Sequence, residues 1–167
     1  ASDVYKRQIL YGVQLVLDSG KPHKKIEILF TIGEELYVKG SDVFDYSKVT
    51  AKQAYVLDLS EETTFNIGTI QGGTATNIVP DCCVLTAYET PLESKSVTDF
   101  QKACEILGFS GELTGTFGGS DNNSFAKNGI EGLVLSNGMY NAHSTREYTT
   151  VDDLYKGAEL IGQLILL

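Results

Sequence analysis

No stretch of this chain is apolar for long enough to cross a bilayer. The two longest, Ile9 to Leu17 and Leu160 to Leu167, fall short of the ~20 residues that a spanning helix needs. No secretory signal is visible, so the default location is the cytoplasm. Cysteine is scarce: Cys82, Cys83 and Cys104 form neither a disulfide framework nor a zinc-ligand spacing. Alternation along a strand sends Cys82 and Cys83 to opposite faces, and all three read as reduced and structural. Basic residues are outnumbered, 13 Lys and Arg against 22 Asp and Glu. The resulting net charge of -9 argues against nucleic acid as a partner, which needs a basic surface, and suits acidic clusters that collect metal ions. Internal repeats and low-complexity tracts are absent.

What is there is enough for one core. With 167 residues, 42% of them hydrophobic, the chain suits one domain, or one and a small appendage. Its opening residues, ASDVYKRQ, are polar, lack a start methionine and run directly into an apolar helix-like segment, which points to a fragment whose true N-terminal part is missing or replaced.

The pattern predicts a buried helix over 8–18, a short helix or turn over 39–46, and a strand at Ala54 to Asp58. A small antiparallel β unit follows, with Thr64 to Ile70, Asn77 to Val79 and Cys82 to Glu89 as its strands and a Gly72-Gly73 turn. Val97 to Leu107 is an amphipathic helix ended by Gly108, and Glu112 to Phe117 is strand-like. Asp121 caps a helix over 122–127, Gly132 to Leu135 is a strand, and Ser136 to Glu147 is a polar loop. Val151 to Leu164 closes the chain as a helix laid on a sheet. Helices and strands alternate on both sides of the β unit, so the predicted fold is an α/β, three-layer sandwich interrupted by a short antiparallel β insertion.

The chain is organised around Ile26 to Glu35. Ile26, Ile28, Leu29, Phe30 and Ile32 read as a strand buried in mid-sheet, and Gly33 turns the backbone into two adjacent carboxylates, Glu34 and Glu35. Ligands and catalytic groups collect at the carboxyl ends of such strands. A divalent cation would justify the pair, one Glu serving as ligand and the other as general base; the plainer alternative is two solvated acids in a helix's first turn. Asp58 ends a second strand and His143 lies in the later loop. Carboxylates and an imidazole from separate strand ends suit zinc, whereas singly Asp58 could cap a turn and His143 could be a surface imidazole. His23, among lysines, reads as solvated.

Four stretches together carry a resemblance: ILFTIGEE at 28–35, YVLD at 55–58, NIGTIQGGTATNIVPD at 66–81, and FGGSDNNSFAKNGI with NAHSTREYTTVDDL within 117–154. In this order they resemble the M20 family of dinuclear zinc metallopeptidases, most closely the peptidase T-like tripeptidases. The resemblance implies that Glu34 is the general base toward a zinc-held water, that Glu35 and His143 bind one zinc, and that Asp58 binds the other. It further implies that Asn77 binds substrate from a lid domain, that Gly119, Ser120 and Asp121 form the pocket floor, and that short peptides are the substrates. On the same likeness, residues 1–58 and 94–167 make up the catalytic domain and 59–93 a remnant of the lid, through which family members dimerise.

Departures from the family pattern restrict this. An upstream His-x-Asp motif and the aspartate that bridges both metals have no counterpart, for Asp3 is out of register. The lid histidine is absent after Asp58, Thr90 stands where the family has an arginine, and the glycine soon after Glu34-Glu35 is missing. Without a bridging carboxylate two cations repel at short range, so at most one weakly held metal is expected. Two functional classes follow: an aminopeptidase-like metallohydrolase, with a related amidohydrolase such as a deacylase or carboxypeptidase as a further reading within it, and a catalytically incomplete α/β domain that binds metal or peptide without turnover.

Overall fold

The first helix is longer than its apolar pattern requires. In the computed structural model, which describes residues 2–36, 38–59, 71–72, 83–84, 90–114, 119–136 and 138–167, α1 runs Ser2–Ser19. A 3-10 turn at Glu34–Leu36, the short helix α2 (Lys39–Asp42) and a second 3-10 turn at Tyr46–Lys48 lead to strand β1 (Gln53–Leu59). The pair β2 (Gln71–Gly72) and β3 (Cys83–Val84) is antiparallel, with Gln71 opposite Val84 and Gly72 opposite Cys83. The other positions of the expected β unit lie outside the described residues. Then come α3 (Lys95–Leu107), α4 (Asn122–Lys127), β4 (Glu131–Ser136), the strands β5 (Met139–Tyr140) and β6 (Tyr148–Thr149), and α5 (Val151–Leu166).

Local signals explain the helix ends. The Ser94 hydroxyl accepts the Val97 N–H at 3.4 Å ahead of α3, and Gly108 closes it in the left-handed region at φ 70. Thr150 does the same for α5, accepting the Asp153 N–H at 3.1 Å. The polar loop expected over 136–147 contains more order than its composition suggests, because β5 pairs with β6, Met139 opposite Thr149 and Tyr140 opposite Tyr148.

β1 and β4 pair in parallel, from Gln53 opposite Glu131 to Leu57 opposite Leu135. A parallel pair must be covered on both faces. On one, Ala103 of α3, Leu135 of β4 and Leu164 of α5 form a buried cluster, with Tyr55, Leu57, Phe100, Leu133 and Leu160 packed against it. On the other, Gly132 lies against Asn122 of α4, and a Cβ there would collide with that side chain. Alternation along β4 thus separates two helical layers, and the fold is the three-layer α/β sandwich. α1 packs on α5. The crossing is at Gly12, where a Cβ would stand 2.7 Å from the Ala158 carbonyl oxygen and 2.9 Å from Ile161.

The buried strand expected at 26–32 does not form. Ile28, Phe30 and Ile32 are exposed, Ile32 at 81%, and the segment joins no sheet among the described residues. Among the described residues the segment has no partner strand, and β1 is bonded there on one edge only, to β4. Residues 112–114 likewise form no strand, and 115–117 lie outside the described residues.

Candidate active site

Gly33, at φ 67, ends segment 26–32 in a conformation that favours glycine, and Glu34 and Glu35 open the turn behind it. The Val38 N–H bonds the Glu34 carbonyl at 2.8 Å and the Lys39 N–H bonds the Gly33 carbonyl at 3.2 Å. Gly40 backs the turn so closely that a Cβ would lie 2.2 Å from the Ile32 carbonyl oxygen. Glu34 is half-buried and Glu35 exposed.

The turn is anchored across the molecule by Asp121. This buried carboxylate accepts the Thr31 hydroxyl on one oxygen and the Ser41 hydroxyl at 2.5 Å on the other. Ser41 lies 3.1 Å from the Ser124 hydroxyl as well. Asp121 stands at the N-cap position of α4 as expected, but its side chain makes no capping bond; both oxygens are engaged by the loop that carries the glutamates. Ser120, also buried, accepts the Asn122 N–H at 3.2 Å, and Gly119 is exposed. Asn77 lies outside the described residues.

Asp58, half-buried at the end of β1, faces the same acids. Burial first, then the charges of Glu34, Asp121 and Glu35, push its carboxyl up to about 7. Glu34 is raised by burial, then by Glu35 and Asp121, and is partly relieved by His143. His143 sits in a strained loop: it adopts φ 62 and Asn141 φ 52, both in the left-handed region. Its Nδ1 is 3.6 Å from Glu35 Oε1, and its backbone N–H donates to Glu147 at 3.2 Å. The structure therefore brings Glu35 and His143 together and places Glu34 and Asp58 within electrostatic reach. Among the described residues, however, no three Asp, Glu, His or Cys groups gather closely enough to hold a metal ion.

Four residues of this neighbourhood escaped the sequence reading. Thr31 and Ser41 flank the acidic turn and anchor it. Glu147, four residues after His143, orients that loop. Tyr5 of α1 brings its hydroxyl toward the acids; burial first, then the charges of Asp58, Glu147, Glu35 and Glu34, push it up, and it donates to Met139 Sδ at 3.2 Å. The signal for Thr31 and Glu147 was their closeness in sequence to the site residues; nothing local marked Ser41 or Tyr5.

A half-buried glutamate, flanking acids and an imidazole lie near one another beside the end of β1 in an α/β sandwich. Residues 7–167 match Peptidase family M20/M25/M40, and the chain belongs to that family. It is similar to the aminopeptidase PepT from Bacillus cereus ATCC 10987, at 22% identity and a TM-score of 0.77, covering 96% of this chain and 70% of that one. The tripeptidase from Staphylococcus aureus subsp. aureus mu50 is alike at 18% identity and a TM-score of 0.78, over 95% and 68% of the two chains. The uncharacterized protein YqjE of Bacillus subtilis (strain 168) is 22% identical over 250 residues, covering 92% of this chain and 67% of its own length. That alignment is longer than the 167 residues of this chain, so the relative carries internal residues that this chain lacks. The lineage is that of a peptide hydrolase. Among the described residues no helix is long and apolar enough to cross a membrane.

Proposed function

We propose that this chain hydrolyses peptide bonds in short peptides, in the manner of an aminopeptidase or tripeptidase, with Glu34 as its proton-transfer group. The observation that carries this is the position of Glu34: half-buried, raised in pKa, beside Glu35 and facing Asp58 at the end of β1. A carboxylate raised in this way holds a proton better than a solvated one does, which suits it to accept and return one. Glu34 accepts a proton from water as that water's oxygen bonds to the peptide carbonyl carbon. It returns the proton to the amine nitrogen as the C–N bond breaks.

The donor set fits a divalent cation in chemistry, two kinds of carboxylate and an imidazole around acids with little compensating charge. Glu35 and His143 would hold it, with Asp58 as the further ligand. Zinc there would polarise the carbonyl and ease ionisation of the attacking water. Asp121, Thr31 and Ser41 fix the turn on which Glu34 stands, and Ser120, Asp121 and Gly119 line the nearby wall of the cleft. The absence of a three-donor cluster among the described residues favours a second reading, an incomplete site that binds metal or peptide without turnover. Release of the N-terminal residue from a tripeptide, followed by chromatography with zinc present, separates the two. Turnover lost in Glu34→Gln supports hydrolysis; zinc binding without any release supports the second reading.

A further inference from the structure

We propose that the outward face of α1 is a homodimer interface, on which α1 of a second copy lies antiparallel. α1 rests on α5 along one side: Gln8 lies against Gly157, Gly12 against Ala158 and Ile161, and Val16 beside Gly162. The opposite side faces outward and is apolar in its middle. Leu10, Gln14 and Leu17 follow one another at steps of four and three, so they form one stripe, with Tyr11 at its edge. Leu10 is 53% and Leu17 54% exposed. Tyr11 and Tyr155 of α5, both exposed, meet edge to face with ring centroids 5.8 Å apart, which holds two aromatic side chains ready at the surface.

Charge selects the occupant. Arg7 stands on the same face before Leu10, and Asp18 stands beside Leu17; both are exposed. Among the described residues Arg7 makes no ion pair, and the Asp18 carboxylate takes an amide hydrogen from Gln14 at 2.7 Å but meets no base. Asp18 also lies in the last turn of α1, where the helix dipole disfavours an acid and no basic residue accompanies it. Local structure thus gives this charge no reason, and a cation from outside the chain would supply one.

A second α1 laid antiparallel supplies it. Its Arg7 comes beside this Asp18 and its Asp18 beside this Arg7, while Leu10 of each copy meets Leu17 of the other and the two-fold axis passes between Tyr11 and Gln14. Laid parallel, the same stripes set like charge against like. A stripe that is basic at its start, apolar in its middle and acidic at its end is complementary to itself about one two-fold axis, the symmetry of most closed dimers. The face is ~27 Å long, from 18 residues at ~1.5 Å each, which belongs with the smaller interfaces and gives a dimer that dissociates on dilution. It is remote in sequence from residues 59–93 and contains none of the residues placed at the candidate active site.

Sedimentation equilibrium of the whole chain tests this. The wild type is expected to be a dimer that gives way to monomer on dilution. Arg7→Glu and Asp18→Lys are each expected to weaken it by about tenfold, because each sets like charges together across the axis. The double variant, and an equimolar mixture of the two single variants, are expected to regain the dimer, since both arrangements restore opposite charges. Each substitution suits the dipole of α1, so lost association is not lost helix, and circular dichroism of every variant checks this. Leu17→Ser is expected to abolish the dimer with the fold kept. Three results overturn the proposal: a wild type that is monomeric at every concentration, which leaves the stripe to a different partner or to none; a dimer unchanged by Leu17→Ser, which places the interface on another face; or single variants that weaken the dimer with no recovery in the double variant or the mixture.

Discussion

β4, Glu131–Ser136, and the segment Ile26 to Ile32 are two apolar stretches that each end beside polar groups, and their fates differ. β4 is paired to β1 along its length and buries Leu135 to 3% exposure between α3 and α5. Segment 26–32 makes no backbone hydrogen bond among the described residues and leaves Ile32 81% exposed. Apolar pattern reports what the side chains prefer; a strand also needs a neighbour for its backbone. The candidate site is built on the less supported of the two. It is held in place by polar ties, Glu27 to Thr50 and Ala51 at one end and Asp121 to Thr31 and Ser41 at the other.

Truncation sharpens this contrast most. Leu135→Ala opens a cavity in the packed cluster and is expected to cost about 2–5 kcal/mol, whereas Ile32→Ala, on the exposed stretch, is expected to stay within about 0.5 kcal/mol. Urea unfolding measures both, and equal losses would erase the distinction. Next in size is Ser41→Ala. It leaves the buried Asp121 carboxylate with one donor fewer, and a loss of about 1–3 kcal/mol is expected, accompanied by faster exchange of the amides of Val38 and Lys39.

Asp58 gives an effect of smaller size with a definite sign. Its folded carboxyl is raised to about 7, above the ~3.9 of an unfolded aspartate. Between these values the folded state holds a proton that the unfolded state has released, so stability falls as pH rises from the lower to the higher and is level beyond. Asp58→Asn removes that dependence. The variant is expected to melt higher than the wild type at pH 8 and close to it at pH 4; the reverse order would show that Asp58 is not in an acidic, desolvated setting. The smallest change concerns Glu27, an exposed carboxylate lowered to about 2 by its bonds to Lys25, Thr50 and Ala51. Its contribution is present above the ordinary glutamate value and is lost as pH falls toward 2. The melting difference between wild type and Glu27→Gln should therefore shrink on acidification, and a difference that persists at pH 2 would contradict the tie.

The well-paired half was legible in the sequence because several independent signals agree there. Helical spacing and a capping Ser or Thr mark α3 and α5, and short β-branched and leucine runs mark β1 and β4. The acidic turn was legible as well, since Gly33 and the adjacent glutamates announce it. The role of Asp121 was not, because its partners Thr31 and Ser41 lie 90 and 80 residues away along the chain. Local grammar offered a helix cap, and long-range packing used the same carboxylate for another purpose. The positive φ of His143 was not read from the sequence either, although histidine, like asparagine and aspartate, adopts such conformations more often than other non-glycine residues do.

The most direct measurement is zinc titration of the purified chain by calorimetry, beside Glu35→Ala and His143→Ala. One weakly held ion per chain, lost in both variants while their folding is unchanged, is the expected result, because Glu35 and His143 already stand 3.6 Å apart. A folded chain that binds no zinc, or binds it equally well without either side chain, would contradict a metal-assisted peptidase site at this turn.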